Sequence, residues 1–367
     1  MKTISVETLR SWLDEGRPLS VVDVRPLAER QEWAIPGSLH IDAYEALRSH
    51  DPEALTTLTL PLEIPVVTVC AAGNTSLLAA EQFAARGLQV FSLTGGMQAW
   101  SLAWNTAEIP LAEQAFQVIQ IRRTGKGCLS YLIGSEDEAA VIDASLDPQV
   151  YLDLAAQRGW RITNVLDTHV HADHLSRSRQ LAEQSGATLF LPAQQRVHYP
   201  FTAIRDGETL SIAGLSLTAL HTPGHTDESM CYLLGKTVLC TGDTLFLTSV
   251  GRPDLVASTE GAEQRAHLLY QSLHRLQTLP SDTVILPGHT GTPVPFDHVP
   301  LMTTLANIDK QLDLLHATHA EFVKTVLSKL PATPANYQRI VTLNEQGQLP
   351  DEPIIELEAG ANRCAIS

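Results

Sequence analysis

Histidines and carboxylates crowd into short segments of this chain that directly follow apolar, β-branched runs. THVHADH places His169, His171, Asp173 and His174 within six residues, after RITNVLD. In extended chain, residues two apart project to one side, so His169 and His171 are expected to converge, with Asp173 and His174 at the turn into a helix. HTPGHTD follows SLTAL, TGDT follows TVLC and PGH follows TVIL, which sets His225, Asp243 and His289 just past three further strand ends. A lone histidine is an ordinary core or surface residue. Imidazoles and carboxylates gathered at four strand ends are costly to bury unless something binds between them, so together they predict a metal site. Spacing alone leaves two arrangements open, a single ion on part of the set or two zinc ions bridged by Asp243 and a hydroxide. His221, four residues before His225, lacks such company and reads as structural.

A second segment able to do chemistry is PVVTVCAAGNTS. Here a short apolar strand ends at Cys70, and Ala71, Ala72, Gly73, Asn74 and Thr75 lead into a helix. Backbone N–H groups wrapped ahead of a helix start stabilise a thiolate or the anion joined to it, which makes Cys70 a candidate nucleophile; an inert thiol at a strand end is the other reading. Cys128, Cys231 and Cys240 lie in apolar strand patterns and read as core, and Cys364 sits in the tail ELEAGANRCAIS without a derivable role. Five cysteines with no CxxC argue against a disulfide framework and for a reducing compartment.

The elements that must position these residues fall into two groups. Residues 1–104 alternate helix and strand: an amphipathic stretch from Val6 to Leu13, the strands SVVDV, PVVTV and QVFSL, and a helix over Ser76 to Arg86 that stops at Gly87. Residues 105–114 hold a proline and no periodicity, and are expected as a linker. The second domain, 115–367, opens with alternating strands at FQVIQIRR, CLSYLIG and AAVIDAS; Asp147 then caps a helix with Pro148 at its first position. Leu301 to Leu330 and PANYQRIVTLNEQG form a helical extension ahead of an irregular tail.

A chain of 367 residues is long enough for two domains, and 44% apolar with 18% charged residues argues against extended disorder. The net charge of −16 opposes a broad grip on nucleic acid or an anionic membrane. Glu7, Asp14 and Glu15 interrupt the opening residues, and no apolar run approaches membrane-spanning length, so the expected setting is the cytoplasm. A homo-oligomer is left open.

Over residues 115–330 the HxHxDH segment with His225, Asp243 and His289 resembles the metallo-β-lactamase superfamily, and TGDTLFLTSVGRPDL resembles its persulfide dioxygenases of the ethylmalonic-encephalopathy-protein type. That resemblance implies an αββα sandwich and one Fe(II) per chain held by His169, His225 and Asp243. His171, Asp173, His174 and His289 would then orient ligands or move protons. Arg252 in GRPDL is either a substrate-facing cation or the ion-pair partner of Asp254. Thr290 and Gly291 stand where many glutathione-using members carry Asp and Tyr, so the thiol is left open among glutathione, coenzyme A and others.

Over residues 1–104, DVRPLAERQEWAIPGSLHID, the CxxGxxS loop and LTGGMQAW resemble a single rhodanese domain, an α/β fold with a parallel sheet and flanking helices. The resemblance makes Cys70 the carrier of sulfane sulfur and Ala71 to Thr75 the sulfur-binding loop, with thiosulfate or sulfite as partners. Asp23 and Arg25 read as a buried ion pair fixing that loop. The implied function is oxidation of a low-molecular-weight thiol persulfide by O2 to sulfite and thiol, coupled to sulfur transfer. The alternative is a hydroxyacylglutathione hydrolase-like thioesterase with two Zn ions and a regulatory rhodanese domain.

Overall fold

The computed structural model describes residues 2–111, 116–255 and 257–366. The first domain is built on five parallel strands in the order Thr3–Ile4, Val90–Leu93, Val66–Val69, Ser20–Asp23 and Leu39–His40. Its central strand, VVTV, is buried at every position, as a parallel sheet covered on both faces requires. Val66 packs with Phe83 on one face, while Val67 and Val69 pack with Trp33 and Trp100 on the other. Parallel strands bring their carboxyl ends to one edge. Cys70 follows Val66–Val69 there, and Arg25 follows Ser20–Asp23 beside it.

The second domain stacks a seven-stranded sheet on a six-stranded one. Strand alternation separates the layers. Tyr131 and Ile133 of Leu129–Ser135 face Tyr232, Leu234 and Cys240 across the central core, whereas Leu132 faces outward onto the helix Pro148–Ala156. Behind the other sheet, Cys231, Leu239 and Ile285 pack on the helices Thr259–Leu276 and His319–Ser328. The result is the expected αββα sandwich.

Asn105–Glu108, inside the expected linker, is instead an edge strand paired antiparallel with Gln117–Arg122. Its buried positions are Asn105 and Ala107, with Asn105 Oδ1 accepting from Arg122 Nε at 2.8 Å, so the strand carries no apolar alternation to reveal it. Residues 112–114 of that linker lie outside the described residues. The expected helical run from Leu301 to Leu330 is broken into Leu305–Gln311, a 3-10 turn at Asp313–His316 and His319–Ser328. A helix at Tyr337–Gln346 follows as expected, and a short one at Ile354–Glu358 precedes the tail. Among the described residues, no helix is long and apolar enough to cross a membrane.

Candidate metal centre and sulfur-carrier loop

The strand Arg161–Leu166 ends in a loop that side chains hold in place. Tyr232 Oη donates to the Asp167 carbonyl at 2.8 Å, and Asn344 Nδ2 donates to the carbonyls of His171 and His174 at 2.8 and 2.9 Å. His169 Nδ1 bonds Thr168 Oγ1 at 2.9 Å, and His225 Nδ1 donates to the Arg252 carbonyl at 2.8 Å. Each ring therefore turns Nε2 toward Asp243, which follows the strand Val238–Gly242. Asp243 Oδ2 lies 3.9 Å from His169 Nε2 and 3.6 Å from His225 Nε2.

These three residues fit a metal ion. Ligands about 2.1 Å from one ion stand roughly 3.0–3.4 Å apart, a few tenths of an ångström inside the spacing observed. His169 Nε2 and Asp243 Oδ2 are buried without a hydrogen-bond partner, which is costly unless something bridges them. Burial lowers the affinity of both His169 and His225 for a proton. Burial opposes the Asp243 charge, but His289, His169 and His225 together hold its carboxyl below the usual range. The set is thus deprotonated, the form that binds metal.

His171 stands beside His169 with ring centroids 4.3 Å apart, but it is anchored differently. The chain leaves extended geometry after Leu166, and His171 Nε2 turns to Asp143 Oδ1 at 3.1 Å, an oxygen that also accepts from Thr168 N at 2.7 Å. Asp173, His174 and His289 form a neighbouring cluster with Cys128. His174 Nδ1 bonds Asp173 Oδ1 at 3.1 Å, and His289 lies with Nδ1 2.5 Å from Asp243 Oδ1 and Nε2 2.8 Å from Asp173 Oδ2. Cys128 is no inert core thiol. It donates to Asp173 Oδ2 at 3.4 Å; burial and Asp173 push its pKa up, but His174 and His289 outweigh them and bring it to about 7. Cys231 and Cys240 do behave as core, with burial pushing both thiols up.

The tail completes the centre. Asn362 Nδ2 donates to Asp173 Oδ2 at 2.9 Å, and Cys364 offers its sulfur within 4.8 Å of ligand atoms on Asp243 and His289. Glu358, wholly buried, anchors this tail by accepting from Arg123 at 2.6 Å, Arg177 at 3.3 Å and Leu175 N at 2.7 Å. Arg252 belongs to the same strap rather than facing substrate. Its guanidinium donates to both oxygens of Asp254 at 2.7 and 2.8 Å and to the carbonyls of Ala332 and Arg363, leaving it committed to structure. Cys128, Asn362 and Cys364 escaped the sequence reading because each is a single polar residue without a companion at ligand spacing. His221 is structural as expected, Nε2 bonding the Asp227 carbonyl at 2.9 Å.

In the first domain Gly73 N donates to Cys70 Sγ at 3.2 Å, and Ser76 Oγ lies 3.3 Å from it. The loop's floor is the turn into Gly96–Trp100: Met97 N donates to the Cys70 carbonyl at 2.8 Å and Gln98 N to that of Ala71 at 3.0 Å. Gly96 has φ of 55°, and any Cβ there would strike the Cys70 carbonyl. Asp23 and Arg25 form the expected buried pair, with Arg25 Nη2 2.7 Å from Asp23 Oδ2 and also donating to the Trp33 carbonyl.

Residues 123–289 match the metallo-beta-lactamase superfamily and residues 5–103 the rhodanese-like domain. A hydroxyacylglutathione hydrolase of Rhizobium meliloti (strain 1021) is 35% identical over 156 residues, 42% of this chain and 57% of that protein. The chain thus spans little over half the length of the curated relatives it matches first. A crystal structure of ETHE1 from Myxococcus xanthus is 30% identical, with 62% of this chain and 97% of that one covered and a TM-score of 0.55. A metallo-beta-lactamase from Staphylococcus aureus subsp. aureus COL is 27% identical, covers 65% of this chain and 76% of its own, and has a TM-score of 0.60.

Proposed function

Because this chain joins a rhodanese-like domain to a domain of the metallo-beta-lactamase superfamily, we propose that it oxidises a low-molecular-weight thiol persulfide with O2 and carries sulfane sulfur on Cys70. The persulfide, O2 and water become sulfite, free thiol and two protons. His169, His225 and Asp243 hold one ion in this reading, and His171, Asp173, His174 and His289 surround it. Two imidazoles and a carboxylate are a donor set that would suit ferrous iron, which would supply the O2 chemistry when bound.

The observation that carries the reading is that His169, His225 and Asp243 each offer a ligand atom within 4.8 Å of the others, with both rings anchored at Nδ1 and His169 Nε2 and Asp243 Oδ2 buried without a partner. The likeness to ETHE1 supports a reading within that group of the superfamily. On the other domain, the Cys70 thiolate takes the outer sulfur of thiosulfate and releases sulfite, or runs the reverse reaction. Reduced thiols as substrates and five unpaired cysteines suit a cytoplasmic enzyme.

A second reading draws on the hydroxyacylglutathione hydrolase relatives and on the Cys128, Asp173, His174 and His289 group. In it two zinc ions bridged by Asp243 serve thioester hydrolysis, and the rhodanese-like domain regulates. Anaerobic purification, metal analysis and an O2-electrode assay with several persulfides decide between them. One Fe per chain with persulfide-dependent O2 uptake is expected; two Zn with thioesterase activity overturns the dioxygenase reading.

A further inference from the structure

Residues 359–366 run across the metal centre and meet it by two separate routes. The first is a side chain. Asn362 Nδ2 donates to Asp173 Oδ2 at 2.9 Å, and the same oxygen stands 2.8 Å from His289 Nε2. On its other edge the His289 ring puts Nδ1 2.5 Å from Asp243 Oδ1, which leaves Oδ2 as the oxygen turned to His169 and His225. The place of Asp173 limits where the ring can lie, and the ring in turn sets the rotation of the Asp243 carboxylate. Asp173 has other anchors, His174 Nδ1 on Oδ1 at 3.1 Å and the Cys128 thiol on Oδ2 at 3.4 Å. An amide is a stronger donor than a thiol, so Asn362 is the firmer hold on Oδ2.

The second route is main chain. Arg252 N donates to the Cys364 carbonyl at 2.9 Å, and the Arg252 carbonyl takes Nδ1 of His225 at 2.8 Å. Gly251 pairs with Ala365, and Ile366 N donates to the Val250 carbonyl at 3.0 Å, so the tail grips Val250, Gly251 and Arg252 in succession. Gly251 lies so close to the centre that a Cβ there would strike the Asp243 carbonyl. Within the tail, Asn362 Oδ1 accepts from Cys364 N at 2.9 Å, which ties both routes to one turn.

We propose that this C-terminal tail is a positioning element of the metal centre and that Asn362 is its working side chain, setting Asp243 through Asp173 and His289. The proposal rests on the ligand set His169, His225 and Asp243 given above and adds what holds it in place. Partners that orient a metal ligand from behind govern metal affinity, typically by about 10–100-fold when lost. Asn362 acts through two intervening side chains, so the low end of that range applies to it.

The test loads the full chain with cobalt(II), whose visible bands follow ligand geometry, and times its release to a chelator. Asn362→Asp keeps an acceptor for Cys364 N and so keeps the turn, but it sets a carboxylate oxygen against Asp173 in place of the donor. It is expected to shift the bands and to release cobalt about 10-fold faster than the parent. Asn362→Leu, which removes the donor without adding charge, should move both readouts in the same direction. Arg363→Ala removes the ion pair of the tail with Glu32 at 3.3 Å and should leave both at the parent values. A chain ending at Glu358 loses both routes and should release cobalt faster than Asn362→Asp; if its melting differs from the parent, the point variants decide. Parent bands with the parent release rate in Asn362→Asp overturn the proposal, as does an equal change in Arg363→Ala, which would make Asn362 a mere fastening of the tail. Neither readout involves O2 or persulfide, so a failure of persulfide-dependent O2 uptake would sink the dioxygenase reading and leave the positioning role standing.

Discussion

At the scale of single residues, the candidate centre depends on which ring nitrogen is left free. Thr168 and the Arg252 carbonyl occupy Nδ1 of His169 and His225, so in the proposed reading their Nε2 atoms and Asp243 Oδ2 would supply one ligand each. With only three protein ligands, loss of one should empty the site: Asp243→Ala is expected to bind no Fe and consume no O2 while circular dichroism stays that of the parent. Full activity in that variant would contradict the ligand set. His289 touches Asp243 and Asp173 instead of supplying that free Nε2, so His289→Ala should keep its iron by metal analysis and lose about 10–100-fold in rate. Cys70 poses a simpler test because sulfur must be carried covalently and serine cannot carry it. Cys70→Ser should lose transfer from thiosulfate altogether, and mass spectrometry of the parent should find one added sulfur on the Cys70 peptide. An added sulfur on Cys128 or Cys364 instead would discredit this loop as the carrier.

At the scale of elements, the strands that deliver ligands were legible and the tail that closes over them was not. VLCTG and VILP are mostly apolar and RITNVL alternates apolar Ile162 with polar neighbours before Val165 and Leu166; all three are short and followed by clustered polar residues, so both strand and site are legible from pattern. His169 and His171 stand side by side, ring centroids 4.3 Å apart, but alternation ends with the strand at Leu166, and pattern does not reveal that the two rings are anchored through different nitrogens. Asn105–Glu108 reads as linker in the sequence because its buried positions are Asn and Ala. Glu358 shows why the tail escaped: a glutamate reads as surface, and its burial depends on Arg123 and Arg177, far away in the chain. Burial raises the Glu358 pKa, but those two arginines outweigh it, so the folded carboxyl titrates below its ordinary value. A depressed folded pKa gives stability that is complete above the unfolded value and fades as pH falls through the folded one. Glu358→Gln should therefore cost about 3 kcal/mol in urea melts at pH 7, with the gap to the parent closing as pH drops below about 4. A gap that is constant with pH would mean that the carboxylate charge does not hold the tail.

At the scale of the whole molecule, the two domains are joined by more than a connecting segment. Trp33 Nε1 donates to the Thr124 carbonyl at 3.1 Å and Arg123 Nε to that of Ser101 at 2.7 Å. Trp100 packs on Phe296 with ring centroids 6.1 Å apart. Each of these contacts crosses the seam and is buried or half-buried, where a donor left unpaired costs about 1–3 kcal/mol. Separating the domains would strand both donors at once, so the parent is expected to unfold in a single calorimetric transition rather than two. Gly125 is the position on which this coupling can be tested. It sits where a Cβ would collide with the Trp100 carbonyl, and backbone on both sides is fixed by Gly125 N donating to the Ala103 carbonyl at 3.3 Å and Lys126 N to that of Arg123 at 3.0 Å. Gly125→Val cannot be relieved by a side-chain rotation, since the atom it meets is main chain. The variant should split the transition into two, the first domain melting apart from the second, with metal content unchanged because His169, His225 and Asp243 all lie on the second domain. Two transitions already present in the parent would show that the seam carries little energy. A single transition retained in Gly125→Val would show instead that the contact at Trp100 yields without opening it.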